Sequence, residues 1–144
     1  MPRPLILASA SAVEEAFYAA LARADVVAVM GLWADDDEVF CIHPGGQRLI
    51  GLHAVRQSYE QILSRGPLNV RIRDVQVFES MTLSVHNLIE QISVSGPRGR
   101  EVINVLATNI YSKGSSGWQL ILHHAAAGQE APNSPHEAPA GKLH

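Results

Sequence analysis

The residue most suggestive of chemistry in this sequence is His43. It ends the apolar run Phe40-Cys41-Ile42 and is followed at once by Pro44, Gly45 and Gly46, so an imidazole is fixed where a buried strand must turn. An imidazole has an ordinary pKa of about 6.5, and one in this position could take and return a proton at neutral pH. The plainer reading is structural, an imidazole satisfied by the backbone of the turn. Further along, His86, Glu90, Asn109 and His124 recur among apolar residues of strand-like segments. A buried Glu90 beside His86 or His124 would hold one imidazole in a fixed tautomer, and Asn109 or His124 could donate a hydrogen bond to a carbonyl or hydroxyl. No metal-ligand spacing links these residues, and His123 and His124 point to opposite faces of their strand, so no metal is expected. Cys41 alternates onto the side of His43, but nothing near it in sequence would lower its pKa. It reads as a small buried hydrophobe, not a nucleophile.

The elements that must hold these groups follow from periodicity. Ser11 and Glu14 form a capping-box pattern, and Val13, Ala16, Phe17, Ala20, Leu21 and Ala24 then recur at helical spacing. Asp25 can cap a second helix with Val26, Val29, Met30 and Trp33 on one face, ended by the acidic turn at 35–38. Residues 39–44 read as a short strand, the PGGQ segment as a turn and RLIG as its return. A third helix carries Val55, Tyr59 and Ile62 and breaks at Arg65-Gly66-Pro67.

Beyond residue 68 the period changes from 3.6 to 2. Four long strands are expected at 69–79, 83–95, 101–112 and 117–126, the last three joined by hairpins at 96–99 and 113–117. The apolar phase slips between Ile72 and Val75, which predicts a β-bulge near Arg73-Asp74. Tight hairpins would pair Glu90 with Val105 and His86 with Asn109, then Tyr111 with Trp118 and Val105 with His124. One face then gathers His86, Glu90, Asn109, Tyr111, Trp118 and His124 among apolar residues, the composition of a ligand pocket. The other face is half polar and suits a homodimer interface.

The totals exclude several classes. The 144 residues are 47% hydrophobic and 17% charged, a balance that makes one packed domain and not a disordered chain. With a formal net charge of −3 and no basic stripe, nucleic-acid binding is not expected. The single cysteine excludes an intrachain disulfide. The apolar core at Leu5–Ala8 is too short for a signal peptide and no segment could span a membrane, so a cytoplasmic protein without membrane partners is expected. Residues 1–10 read as an arm, 11–127 as the domain and 128–144 as a proline-rich tail.

Residues 33–63, WADDDEVFCIHPGGQRLIGLHAVRQSYEQIL, followed by GWQLILHHAA at 117–126, resemble the SnoaL-like branch of the NTF2-like superfamily, which includes ketosteroid isomerase and scytalone dehydratase. The resemblance covers residues 11–126. It implies an α+β, cystatin-like cone in which three N-terminal helices pack on a strongly curved antiparallel or mixed sheet. It also places His43 where ketosteroid isomerase keeps its proton-shuttling aspartate, and Tyr59 where it keeps a tyrosine of its hydrogen-bond network. The oxyanion-hole tyrosine slot holds Phe17, with Tyr18 one residue off, and the last two strands contain no aspartate, so steroid isomerisation itself is not implied.

The expectation is a small-molecule-binding protein that acts without metal or organic cofactor. Its enzyme form would be an acid–base isomerase or dehydratase on a small apolar cyclic or polyketide-like substrate, with His43 and Tyr59 catalytic. Phe17, Trp33, Cys41, His86, Glu90, Asn109, Tyr111, Trp118 and His124 would line the pocket. The alternative is a non-catalytic ligand-binding or protein-interaction and assembly module.

Overall fold

The computed structural model describes residues 7–126; most of the expected arm and the whole expected tail lie outside the described residues. Helix α1 spans Ala10–Ala22 and is capped by Ser9, whose extended backbone lets its hydroxyl oxygen accept the Ala12 N–H at 3.0 Å. The cap thus precedes the Ser11–Glu14 pair expected from sequence, and burial gives the reason. Ala10, Val13, Glu14, Phe17 and Leu21 share the stripe that faces the sheet, so Glu14 enters the core instead of folding back to Ser11. Helix α2, Val26–Gly31, is capped by Asp25, which accepts the Ala28 N–H at 3.0 Å. Helix α3, Leu52–Leu63, follows Gly51, whose φ of +92° is a conformation only glycine adopts without strain.

The strands are β1 (Phe40–Ile42), β2 (Arg48–Ile50), β3 (Val70–Glu79), β4 (Leu83–Gly96), β5 (Gly99–Gly114) and β6 (Gly117–Ala126). They form one open sheet in the order β2-β1-β6-β5-β4-β3. Every neighbouring pair is antiparallel except β1 and β6, which run parallel, Cys41 beside His123. That pairing carries the His43 turn from the N-terminal half across to the last strand. The fold is therefore α+β and cystatin-like, with the helices on the concave face of a curved mixed sheet. Val13, Phe17, Val29, Val55, Leu88 and Leu120 fill the space between the layers and are completely buried. No described helix is long and apolar enough to cross a membrane.

The register decides which side chains enter the interior. Glu90 pairs with Val105 and His86 with Asn109, as the tight hairpin predicts. The bulge in β3 falls between Arg73 and Gln76, with Asp74 at a φ of +52°. The last hairpin differs from expectation. Lys113 pairs with Trp118 and Tyr111 with Leu120, but Ile110 pairs with Leu122, leaving Ile121 as an extra residue in β6. Beyond that bulge the alternation inverts. His123 pairs with Asn109 and is buried, whereas His124, expected on the inner face, pairs with Thr108 and is exposed.

Candidate functional site

A cavity of about 290 Å³ opens between α1, α3 and the concave sheet. Leu21, Ile62, Leu68 and Ile92 give it apolar walls, while His43, Tyr59, Glu90 and His123 bring polar groups to it. Among the described residues neither Arg nor Lys lines it, so none of them offers a fixed cation to an anionic ligand. Each polar group comes from a different element: the turn after β1, helix α3, and strands β4 and β6.

The hydrogen bonds assign the imidazole protons. Ser58 Oγ donates its one proton to the Val55 carbonyl at 2.6 Å, so His43 Nε2, 2.9 Å from Ser58 Oγ, must donate to it. His43 Nδ1 therefore carries the lone pair. His123 Nδ1 donates to Asn109 Oδ1 at 2.5 Å, which leaves the lone pair of His123 on Nε2, 3.9 Å from Glu90 Oε2. The two rings lie 6.3 Å apart. Burial pushes each imidazole down to about 4; the neighbouring His123 adds to the effect at His43, and His124 adds to it at His123. Both are neutral at pH 7.

Glu90 behaves in the opposite sense. Burial pushes its carboxyl up to about 7; the Tyr18 hydroxyl, donating at 2.7 Å, pulls it down, and the Glu14 charge pushes it up again. Near pH 7 it is the lining group that exchanges a proton most readily. Tyr59 Oη is buried, with the Cys41 sulfur at 3.8 Å as its partner, and burial holds its pKa well above the ordinary phenol value. A hydroxyl with so weak a partner is free to donate to a ligand oxygen. Cys41 also lies 3.6 Å from His43 Nε2, but burial pushes its thiol up to about 12, which leaves it unreactive.

Of the residues singled out by sequence, His43, Tyr59 and Glu90 line the cavity. Phe17 packs edge-on against Tyr59, 6.1 Å between centroids. Trp33, His86, Asn109, Tyr111 and Trp118 are buried in the core but are not lining residues, and Cys41 sits behind His43. His124 is on the opposite face of the sheet. Two interior residues were missed, His123 and Glu14. The double apolar step Ile121-Leu122 is the sequence mark of the bulge that turns His123 inward. Glu14 had a signal too, because it lies at i+4 from Ala10 and i−3 from Phe17 on the buried stripe.

The donor set has the form of a small acid–base site: one carboxyl near its midpoint, two neutral imidazoles and one phenol. Among the described residues no three His, Cys, Asp or Glu side chains gather as a cation site.

Residues 11–128 match the family model of the SnoaL-like domain. A candidate calcium/calmodulin-dependent protein kinase type II association domain from Thiobacillus denitrificans superposes with a TM-score of 0.79 at 28% identity, over 87% of this chain and 99% of that one. A candidate dehydratase of the NTF2-like family from Streptomyces avermitilis gives 0.75 at 27% identity, over 83% and 94%. A candidate ketosteroid isomerase from Parabacteroides distasonis gives 0.64 at 21% identity, over 81% and 83%, and shares the fold. No curated protein matches the sequence.

Proposed function

The chain belongs to the family of SnoaL-like domains, and from that premise we propose that it binds a compact neutral molecule and moves a proton on it. The reaction class is isomerisation or dehydration without an organic cofactor. The observation that carries this reading is the Glu90 carboxyl, buried in the cavity wall and held near neutrality beside the lone pair of His123 Nε2. Glu90 removes and returns a proton, Tyr59 donates to the carbonyl or hydroxyl oxygen where charge develops, and His43 Nδ1 and His123 Nε2 accept from the ligand. His43, the residue favoured by sequence, is in this reading an acceptor and orienting group, because its imidazole does not ionise at neutral pH. A cavity of about 290 Å³ suits a ring-sized ligand, and a lining without Arg or Lys among the described residues favours a ketone, enol or phenol over a carboxylate or phosphate. The candidate dehydratase from Streptomyces avermitilis, 27% identical, supports the same class.

The test is an NMR titration with a set of small cyclic enones and phenols. The expected result is that one or more shift the His43, His123 and Tyr59 resonances and promote solvent exchange of an acidic ligand C–H, an exchange that Glu90→Gln abolishes. If every cavity resonance stays put, the reading fails.

A second reading, an assembly module, is favoured by the outer sheet face and by the association domain named above, 28% identical. Phe78 and Val102 are 66% and 59% exposed there, beside half-buried Val85, Leu106, Ile110 and Leu122. A face of this kind calls for a cover, and isologous pairing supplies one. The homodimer should appear in sedimentation equilibrium of the native protein and disappear in Ile110→Lys; a wild-type monomer at high concentration would exclude it.

A further inference from the structure

Glu14 is not among the cavity-lining residues, yet it is 4% exposed on α1 and its Oε2 is the centre of a buried cluster. That oxygen meets the Tyr111 hydroxyl at 2.7 Å, His86 Nδ1 at 3.0 Å and Asn109 Nδ2 at 3.4 Å. Behind His86, Ser84 Oγ donates its proton to Glu79 Oε1 at 2.8 Å, so His86 Nε2, 3.0 Å from the same Ser84 Oγ, must be a donor. A further proton then lies on the line between His86 Nδ1 and Glu14 Oε2. Whichever of those atoms carries it, Glu14 Oε2 presents only a lone pair to Asn109.

The Asn109 amide therefore has one permitted orientation, with its NH2 toward Glu14 and its carbonyl toward His123. Its second N–H reaches Tyr18 Oη at 3.0 Å, so the phenol must send its own proton onward to Glu90 Oε2. Its carbonyl takes the His123 Nδ1–H. Turning the amide over would oppose two acceptors at Glu14 and leave His123 Nδ1 without an acceptor.

We propose that Glu14 is a positioning residue: through the orientation of the Asn109 amide it fixes the His123 tautomer and the direction of the Tyr18 hydroxyl, so the cavity meets an unprotonated Nε2 beside Glu90. The use made of that lone pair rests on the acid–base reading above. The hydrogen-bond polarity does not.

Long-range 1H–15N correlation spectra at about pH 7, where His123 is neutral, distinguish a protonated ring nitrogen from a bare one. The expected result is the Nδ1–H form of His123 in the wild type and in Glu14→Gln, whose amide oxygen still accepts. In Glu14→Met, where Asn109 has no acceptor to obey, the Nε2–H form should appear. An Nε2–H His123 in the wild type or in Glu14→Gln, or an unchanged Nδ1–H in Glu14→Met, overturns the proposal. Should Glu14→Met not fold, an Nε2–H His123 in the wild type still overturns the proposal. Failure of the acid–base reading would look different, as an absence of ligand shifts with the tautomer intact.

Discussion

Replacing Glu90 with glutamine keeps the size of the side chain and an oxygen for the Tyr18 hydroxyl, but removes the carboxyl whose ionisation burial opposes. Burial raises the folded-state pKa of Glu90 from an ordinary 4.5 to about 7. Below about pH 4.5 the carboxyl is protonated in both states, and its titration contributes nothing to stability. As pH rises the unfolded chain loses this proton first, so the native state binds more protons and stability falls until the folded carboxyl has also ionised. The gap is about 2.5 pH units, and at about 1.4 kcal/mol for each the full loss is about 3 kcal/mol. Most of it develops between about pH 5 and pH 8. Glu90→Gln does not pay this penalty, whereas the shifts at His43 and His123 are common to both proteins and cancel in the comparison to first order. Urea unfolding of wild type and variant at about pH 5 and pH 9 measures the difference directly. The variant should gain about 2–3 kcal/mol on the wild type between those two values. A difference that does not change with pH would refute the buried, near-neutral carboxyl and remove the main support for the acid–base reading.

Three further outcomes follow from named contacts. Tyr18→Phe removes the hydroxyl that favours the charged carboxylate, so the Glu90 midpoint should move up in 13C carboxyl spectra; a downward move would contradict the donor direction assigned here. His123→Ala leaves Asn109 Oδ1 without its donor and should cost about 1–3 kcal/mol, whereas His124→Ala, on the exposed face, should stay within about 0.5 kcal/mol. Equal costs in thermal unfolding would refute the bulge at Ile121. Cys41, with its thiol pushed up to about 12 by burial, should resist alkylation in the native protein at about pH 8 and react once unfolded, as mass spectrometry would report.

The sequence by itself determined what depends on near neighbours. Helical spacing located α1 and α3, the Asp25 cap located the start of α2, and the slip of apolar phase located the bulge beside Asp74. The hairpin at 96–99 set the pairing of Glu90 with Val105. These readings hold because a tight turn fixes register and an apolar stripe fixes a face, both over a few residues. The tertiary structure decided the rest of the site. A bulge opposite Tyr111 depends on how β6 meets two strands at once, parallel to β1 and antiparallel to β5, and that pairing alone exchanged His124 for His123. Local pattern favours Ser11, which has Glu14 three residues on, yet Ser9 caps α1, because Glu14 is buried among His86, Asn109 and Tyr111, seventy-two or more residues away in sequence. A buried carboxylate is tolerable only where distant donors converge on it. That convergence belongs to the fold, and so do the raised Glu90 and the neutral imidazoles beside it.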